Sequence, residues 1–514
     1  MSRRQLIISA LATGATLPLA MSLADKALAA TPKRGGRFRI GSAGGATTDS
    51  LDPTTHTNQM VTLHSFCVAN RLAEVTAEGR LAGELAESIE PSVDAKSWRF
   101  KLRKGIEFHN GKSLTPEDVV VSVRHHMGED TKSAMKSSLK IVESIEVDGS
   151  DAVIFKLTTG SADFPYVTTD YHLPILPSEG GKLDWQSGIG TGPYAMDAFD
   201  PGVRGFYRRN PNYWRSDAAF FDEIEVLSIL DATARNNALV SGSVDAIDQV
   251  EAKTTQLLRG VAEARIIEVT GRVHHAWPMR VEAAPFNNVD FRLAVKHALD
   301  RNEILKKVHL GLGIVGNDTP ISPAYEFYAD LPQRVQDIDK ARYHLEKSGV
   351  GQGVTIPLHT SDGAYSGAVD SALLIKSQLA KVGINVNVIS EPKDGYWSNV
   401  WRKAPWCAVF WYGRPTIDWM MTSAYAADSS YNDAGWQHER FNKLLAEARA
   451  ELDSTKRAGM YRELQSIVRD EAATAVTTFA NFVMAARTNV GMPDKLISTY
   501  PMDGGKAVER WWFN

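Results

Sequence analysis

From residue 231 onward, segments with helical periodicity alternate with segments of strand character, which restricts the chain to a layered α/β fold. Helical patterns read at 231–241, 290–310, 337–348, 366–382, 437–450 and 454–473, with strands such as Val386–Ile389 between them. Upstream, Arg37–Ile40 reads as a short strand running into the Gly-rich turn Gly41–Gly45, and Leu81–Ile89 as a short helix or turn. Trp98–Leu102 alternates apolar with basic residues, as a half-buried strand does. Asn110-Gly111 marks a turn, and Thr115-Pro116-Glu117-Asp118 reads as a helix start with Thr115 as N-cap and Asp118 at the capping-box position. That helix continues over Val119–Met127. Ser144–Val147 and Val153–Leu157 form a hairpin about Asp148-Gly149, and Gly190–Tyr194 opens a strand region reaching Tyr207. The expectation is an α/β fold with mixed sheets.

The N-terminus reads as an export segment. Arg3-Arg4 precedes a moderately apolar run reaching Met21, and Ala27-Leu28-Ala29 has the small-x-small form of a signal peptidase site. The paired arginines resemble a twin-arginine signal; an ordinary Sec signal is the alternative. No cysteine stands at the cleavage site to carry a lipid, and no run of about 18 apolar residues follows that would cross a bilayer. The expected location is periplasmic, without a lipid anchor. Removing 29 of 514 residues leaves 485, enough for two or three domains. Arg3, Arg4, Lys26 and Asp25 leave with the segment, so the 57 basic and 61 acidic side chains become 54 and 60, a net charge of −6. Without a basic excess, nothing holds a phosphate backbone, which argues against nucleic acid. Cys67 and Cys407, far apart in sequence, read as buried free thiols in different domains rather than as a disulfide.

Leu85–Ser88, Trp98–Leu102, Arg103–Gly111 and Leu114–Val119 make a first recognisable block. Gly190–Tyr194 with Arg209–Trp214 makes a second, and Phe221–Ile224 with Ala238–Asp245 a third. Pro285-Phe286, Asp290–Ala294 and Ala298–Arg301 make a fourth. In this order the blocks resemble the bacterial extracellular solute-binding proteins of the dipeptide, oligopeptide and nickel type (family 5). Their glycines and prolines suit a scaffold: Gly111 a positive-φ turn, Pro211 a strand end. The resemblance implies a two-lobed periplasmic binding protein fold (type II, similar to cluster C) with mixed sheets. It implies a first lobe at 32–277 with an extra subdomain near 70–188, a second lobe at 279–484, and a return of 485–514 to the first lobe. Arg272–Trp277 and Val483–Arg487 are the crossover candidates. It also implies a monomer that traps a small-molecule or peptide ligand between the lobes and hands it to an inner-membrane ABC permease complex, without a cofactor.

The stretch 396–419 holds five of the chain's 12 tryptophans: Trp397, Trp401, Trp406, Trp411 and Trp419. In the family's peptide binders, a loop here carries an aromatic followed by an acid that pairs with the ligand's α-amine. Aligning Trp411-Tyr412-Gly413 with that motif puts Arg414 where the acid would stand, with Asp418 four residues on. An arginine fork in a partly desolvated cleft suits a carboxylate or phosphate, unless Asp418 takes it as a structural partner. About two of the five tryptophans are expected to line the cleft and the rest to pack. A sugar platform or a quaternary ammonium cage is an alternative use of so many rings. The resemblance adds Asn58 on a first-lobe loop at 47–59, Trp277 and His275 beside the crossover, and Asn481 before the return crossover. The candidate ligand-binding residues are therefore Arg414, Trp411, Tyr412, Asp418, Trp397, Trp401, Trp277, His275, Asn58 and Asn481.

Metal binding is not expected. His274-His275 on a strand point to opposite faces, His125-His126 on a helix diverge and read as surface, and no H-x-x-x-H or C-x-x-C occurs. Nor does any G-x-S-x-G or P-loop lysine support catalysis. The leading expectation is capture of a small peptide or amino-acid-derived, anionic solute for an ABC importer. A binder of an oligosaccharide, opine or betaine is the second reading, and a secreted hydrolase the third.

Overall fold

The computed structural model describes residues 32–392, 396–429 and 431–514; the expected export segment, residues 1–29, lies outside them. A nine-stranded mixed sheet organises the molecule. Arg37–Ser42 runs parallel to Glu223–Ser228 on one side and to Ala246–Ile247 on the other. The hairpin Tyr194–Asp200 and Arg204–Arg209 extends the sheet outward antiparallel to Glu223–Ser228. On the inner side, Ala246–Ile247 pairs with Thr474–Arg487, which pairs along Ala264–Pro278. Val409–Trp411 then closes that edge, and Gly313–Val315 adds to Thr474–Arg487.

The strands Ala264–Pro278 and Thr474–Arg487 are 15 and 14 residues long, against a usual length of about 5–6. Each contributes to two cores. Ile267, Met484 and Ala486 belong to the first-lobe core with Phe38, Ile224, Tyr207 and Trp511. Ala276, Trp277, Ala475 and Phe479 belong to the second-lobe core with Phe291, Leu358, Ile375, Trp406 and Tyr461. Between the two cores the pairing breaks. Thr270 faces Asn481 and the next pair is His274 with Phe479, so Gly271, Arg272 and Val273 bulge opposite Ala480. A side chain at Gly271 would lie 2.6 Å from the Ala480 carbonyl oxygen, so the bulge requires glycine. A second, smaller irregularity follows, where His275 faces Thr478 and Ala276 faces Val476.

A third core, with Trp98, Phe100, Val119, Phe155 and Phe164, fills a separate four-stranded antiparallel sheet. Its helix Pro116–Arg124 carries the expected capping box: the Thr115 amide and hydroxyl donate to Asp118 at 2.9 and 2.7 Å. The helix stops at Arg124 rather than Met127. This subdomain also touches the second lobe, through Asp163 with Arg457 and Tyr166 with Glu326. Within the second-lobe stretch 290–310, Asp300 accepts the Glu303 amide at 2.9 Å and starts a new helix, so two helices replace one.

Some local expectations require correction. Leu81–Ile89 forms strands, Leu81–Gly83 and part of Ala86–Pro91, because partners at Ala73–Val75 and Ser97–Leu102 supply ladder bonds. His126 is buried rather than on the surface, with Nδ1 2.6 Å from the Ser133 hydroxyl, while His125 meets Asp52 at 2.9 Å. Cys67 and Cys407 are buried free thiols in the first- and second-lobe cores.

Candidate functional site

A cavity of about 830 Å³ lies where the first lobe, its subdomain and the second lobe meet at the bulge. The first lobe contributes the start of helix Gln59–Val68, the chain after it from Arg71, the turn 169–172 and the C-terminal segment near Tyr500 and Lys506. The second lobe contributes Tyr412–Pro415, Trp419 and Tyr431, and the crossover strands contribute Arg272, Val273 and Phe482.

The second-lobe wall is set by strand alternation. On Val409–Trp411, Trp411 turns inward and its indole N–H donates to the buried Asp433 at 3.0 Å. Tyr412 therefore turns outward and is 67% exposed. Gly413 packs directly on the bulge, where a Cβ would lie 2.0 Å from that of Arg272. The Arg414 amide donates to the Tyr325 hydroxyl at 3.1 Å, and the Arg272 Nη1 donates to the Pro415 carbonyl at 3.0 Å. Thr416 then caps helix Ile417–Tyr425. The loop is thereby fastened to the crossover strand, leaving the Arg414 side chain half-buried beside the cavity.

Three arginines line this cavity, and none is ion-paired to a carboxylate among the described residues. Arg71 is fully buried over the Phe66 ring at 3.9 Å, donates to the Ala69 carbonyl and the Ser65 hydroxyl, and leaves Nε without a partner. Arg272 lies over the Tyr325 ring at 4.6 Å and spends its donors on the carbonyls of Ala324 and Pro415. Arg414 lies 5.7 Å from the Trp411 ring centre and makes one long bond, 3.4 Å, to the Tyr412 carbonyl. Burial holds all three guanidiniums below the usual arginine range.

The cavity's carboxylates, by contrast, are engaged. Lys506 reaches Glu84 at 2.7 Å and Glu509 at 3.6 Å and also contacts Glu74, while Arg215 holds Glu74 at 2.6 Å and Glu509 at 2.9 Å. Burial alone would lower the Lys506 ammonium, but Glu84, Glu509 and Glu74 hold it above its ordinary value. Burial would likewise raise Glu509, but Lys506 and Arg215 hold it down at about 2. Asp170 accepts from His172 Nδ1 at 2.6 Å and from the Tyr500 hydroxyl at 3.1 Å. What the cavity offers a solute is therefore unpaired positive charge.

Of the residues singled out in the sequence, Arg414, Tyr412 and Asn58 line the cavity. Asn58 is also the N-cap of its helix, accepting the Met60 amide at 3.0 Å. Trp411 lies behind Arg414 as a buried support. The others sit elsewhere. Asp418 points away and accepts from Arg449 at 3.0 Å; burial pushes it up to about 6. Trp277 is fully buried in the second-lobe core, and His275 is stacked between Tyr365 at 4.0 Å and His309 at 4.6 Å. Asn481 borders a smaller pocket and donates to Glu268 at 3.3 Å. Trp397 and Trp401 belong to an aromatic cluster beside the cavity, and of the five clustered tryptophans only Trp419 lines it. Sequence reasoning missed Arg71, Arg272, Tyr500 and Lys506. Among the described residues no group of three or more His, Cys, Asp or Glu side chains is arranged to hold a metal ion.

Comparison with known proteins gives a consistent picture. Residues 80–435 match the model of the bacterial extracellular solute-binding proteins, family 5 (middle region). The oligopeptide-binding protein AppA of Bacillus subtilis is 24% identical over 541 residues, covering 95% of this chain and 93% of that protein. Among solved structures, HbpA2 of Haemophilus parasuis has a TM-score of 0.83 at 21% identity, covering 93% of this chain and 100% of that one. AgaA of A. tumefaciens R10, in complex with agropinic acid, has a TM-score of 0.70 at 23% identity, covering 93% and 99%.

Proposed function

Because the chain belongs to the bacterial extracellular solute-binding proteins of family 5, we propose that it is the periplasmic, monomeric capture subunit of an ABC importer. Its solute is an organic anion derived from an amino acid or small peptide, released intact to an inner-membrane permease. The lobe boundaries of this reading are 32–277 with the subdomain at 70–188, 279–484, and the return at 485–514. The relatives' names support the chemistry: one binds oligopeptides and another holds agropinic acid.

One observation carries the anionic reading: Arg71, Arg272 and Arg414 face one cavity without a carboxylate partner, while Glu74, Glu84 and Asp170 are all engaged. A free α-amine would need an unpaired acid. A carboxylate would instead complete the donor set of Arg414, beside the buried charges of Arg71 and Arg272. The volume suits a solute of a few tens of atoms, within the roughly 300–1,000 Å³ of small-molecule pockets. Parting the lobes at the Gly271–Val273 bulge would admit it.

The test is a thermal-shift screen of acylated amino acids, dipeptides, opines, sugars and betaines. A ligand at 100 times its Kd adds about 2.7 kcal/mol of stability. Arg414→Ala should weaken the best anionic hit by about 10- to 100-fold, the value of a bond to a charged group. Unchanged affinity in that variant, or hits confined to cations, would sink the reading. Turnover of the bound compound would revive the hydrolase alternative.

A further inference from the structure

The cavity opens beside a cluster of aromatic rings that the anion clamp does not use. Trp397 lies 5.5 Å from Phe410, which lies 4.8 Å from Tyr412. Trp397 also lies 5.9 Å from Trp401, which lies 5.8 Å from Tyr431. Three of these rings are uncovered: Tyr412 is 67% exposed, Tyr431 53% and Trp397 37%. Scattered single tyrosines on a surface need no explanation, whereas contiguous exposed rings at a cavity mouth mark a surface awaiting an apolar partner. Tyr412 and Tyr431 both line the cavity together with Arg414, the clamp arginine that lies over the ring of Trp411.

We propose that the captured solute carries a flat aromatic ring next to its anionic group, and that Tyr412 and Tyr431 select for that ring. The inference rests on the anion reading above and adds the class: an aryl- or aroyl-bearing carboxylate. The neighbouring charges decide between occupants that stack on rings. A quaternary ammonium would have to sit beside the unpaired Arg414 guanidinium, where like charges repel. A sugar would need acceptors for its hydroxyls, and the cavity's carboxylates are held by Lys506, Arg215, His172 and Tyr500. An aromatic ring asks only for faces and edges, and its attached carboxylate is what Arg414 lacks.

The test is calorimetric titration of the purified protein with N-benzoyl-L-glutamate and N-acetyl-L-glutamate, which share their anionic groups and lack a free amine. Wild type should bind the benzoyl compound about fivefold or more tightly, as two aromatic contacts imply. In the double variant Tyr412→Leu/Tyr431→Leu, whose fold is checked by its melting curve, the ratio of the two affinities should fall to about one. Equal affinity in wild type, or a benzoyl preference that survives in the double variant, overturns the aromatic selection and leaves the anion reading standing. Binding of neither compound at millimolar concentration overturns both.

Discussion

Replacing Lys506 with methionine removes the buried ammonium that holds Glu84, Glu509 and Glu74 together beneath the cavity. Lys506 is 5% exposed and its Nζ lies 2.7 Å from Glu84 and 3.6 Å from Glu509. After substitution, Glu74 and Glu509 keep Arg215, but Glu84 keeps only the Asn70 side chain at 2.9 Å and the Arg71 amide at 2.8 Å. Breaking a buried pair from one side costs about 3–5 kcal/mol, because the partner charge stays behind. At an unfolding entropy of about 2.1 cal/mol/K per residue, a chain of this length loses roughly 1 °C per kcal/mol when it melts as one unit. The expected loss in Tm at pH 7 is therefore about 3–5 °C, read by differential scanning calorimetry. The pH dependence fixes the cause. Glu509 is held at about 2 against an ordinary value of 4.5, so its contribution is present above 4.5 and is lost as pH falls from there through about 2. In the variant Glu509 has lost the Lys506 ammonium, so less of this contribution is there to lose. The gap between wild type and Lys506→Met should therefore narrow as pH falls below 4.5. A Tm difference below about 1 °C at pH 7, or a gap that widens in acid, would refute the assignment of Lys506 as the cation that neutralises the acidic wall. The variant should also bind anions more weakly, since Glu84 would then stand unpaired beside them.

Asp418→Asn should lower Tm by loosening Arg449, yet leave the Kd of the best anionic ligand within about threefold, because Asp418 faces away from the cavity; a loss as large as that of Arg414→Ala would return Asp418 to the site. Burial holds His64 at about 3 and His274 at about 4, so as pH falls below 6.5 the unfolded chain takes up protons that the folded one refuses. Tm should therefore decline between pH 6.5 and 4, less steeply in His64→Phe, and an equal slope in that variant would contradict the assignment. Cys67 and Cys407 are buried with thiols pushed above their ordinary range, so the native protein should take up no maleimide and the denatured protein two equivalents; labelling of the native form would place a thiol in reach of solvent.

What could be read from the sequence was local. The capping box at Thr115 and the turn at Asp148-Gly149 are written in adjacent residues, and the structure has both the cap and the hairpin. Leu81–Ile89 misled because its leucines and alanines fall at helical spacing, while the ladder bonds that make it strand come from residues elsewhere in the chain. The site was half legible for the same reason. Arg414 stood out against a motif, and Tyr412 lay beside it. Arg71 and Arg272 carry no local mark. What sets them apart is having no acidic partner among the described residues, which only the folded arrangement reveals. Asp418, the natural local partner for Arg414, is taken by Arg449 across 31 residues. Tryptophan density pointed at a stretch that borders the cavity, but of its indoles only Trp419 lines it, while Trp406 packs in the core and the indole N–H of Trp411 is claimed by Asp433.

Native mass spectrometry of the protein purified from the cells that make it, without denaturation or dialysis, reads the captured solute itself. The expected result is a complex heavier than the polypeptide by one small molecule. On unfolding, that molecule should be released intact and carry at least one carboxylate, with no excess of basic groups. Replacing Arg414 with alanine should lower the occupied fraction in the same preparation. A bound molecule with net positive charge, or full occupancy in Arg414→Ala, would contradict anion capture at this cavity.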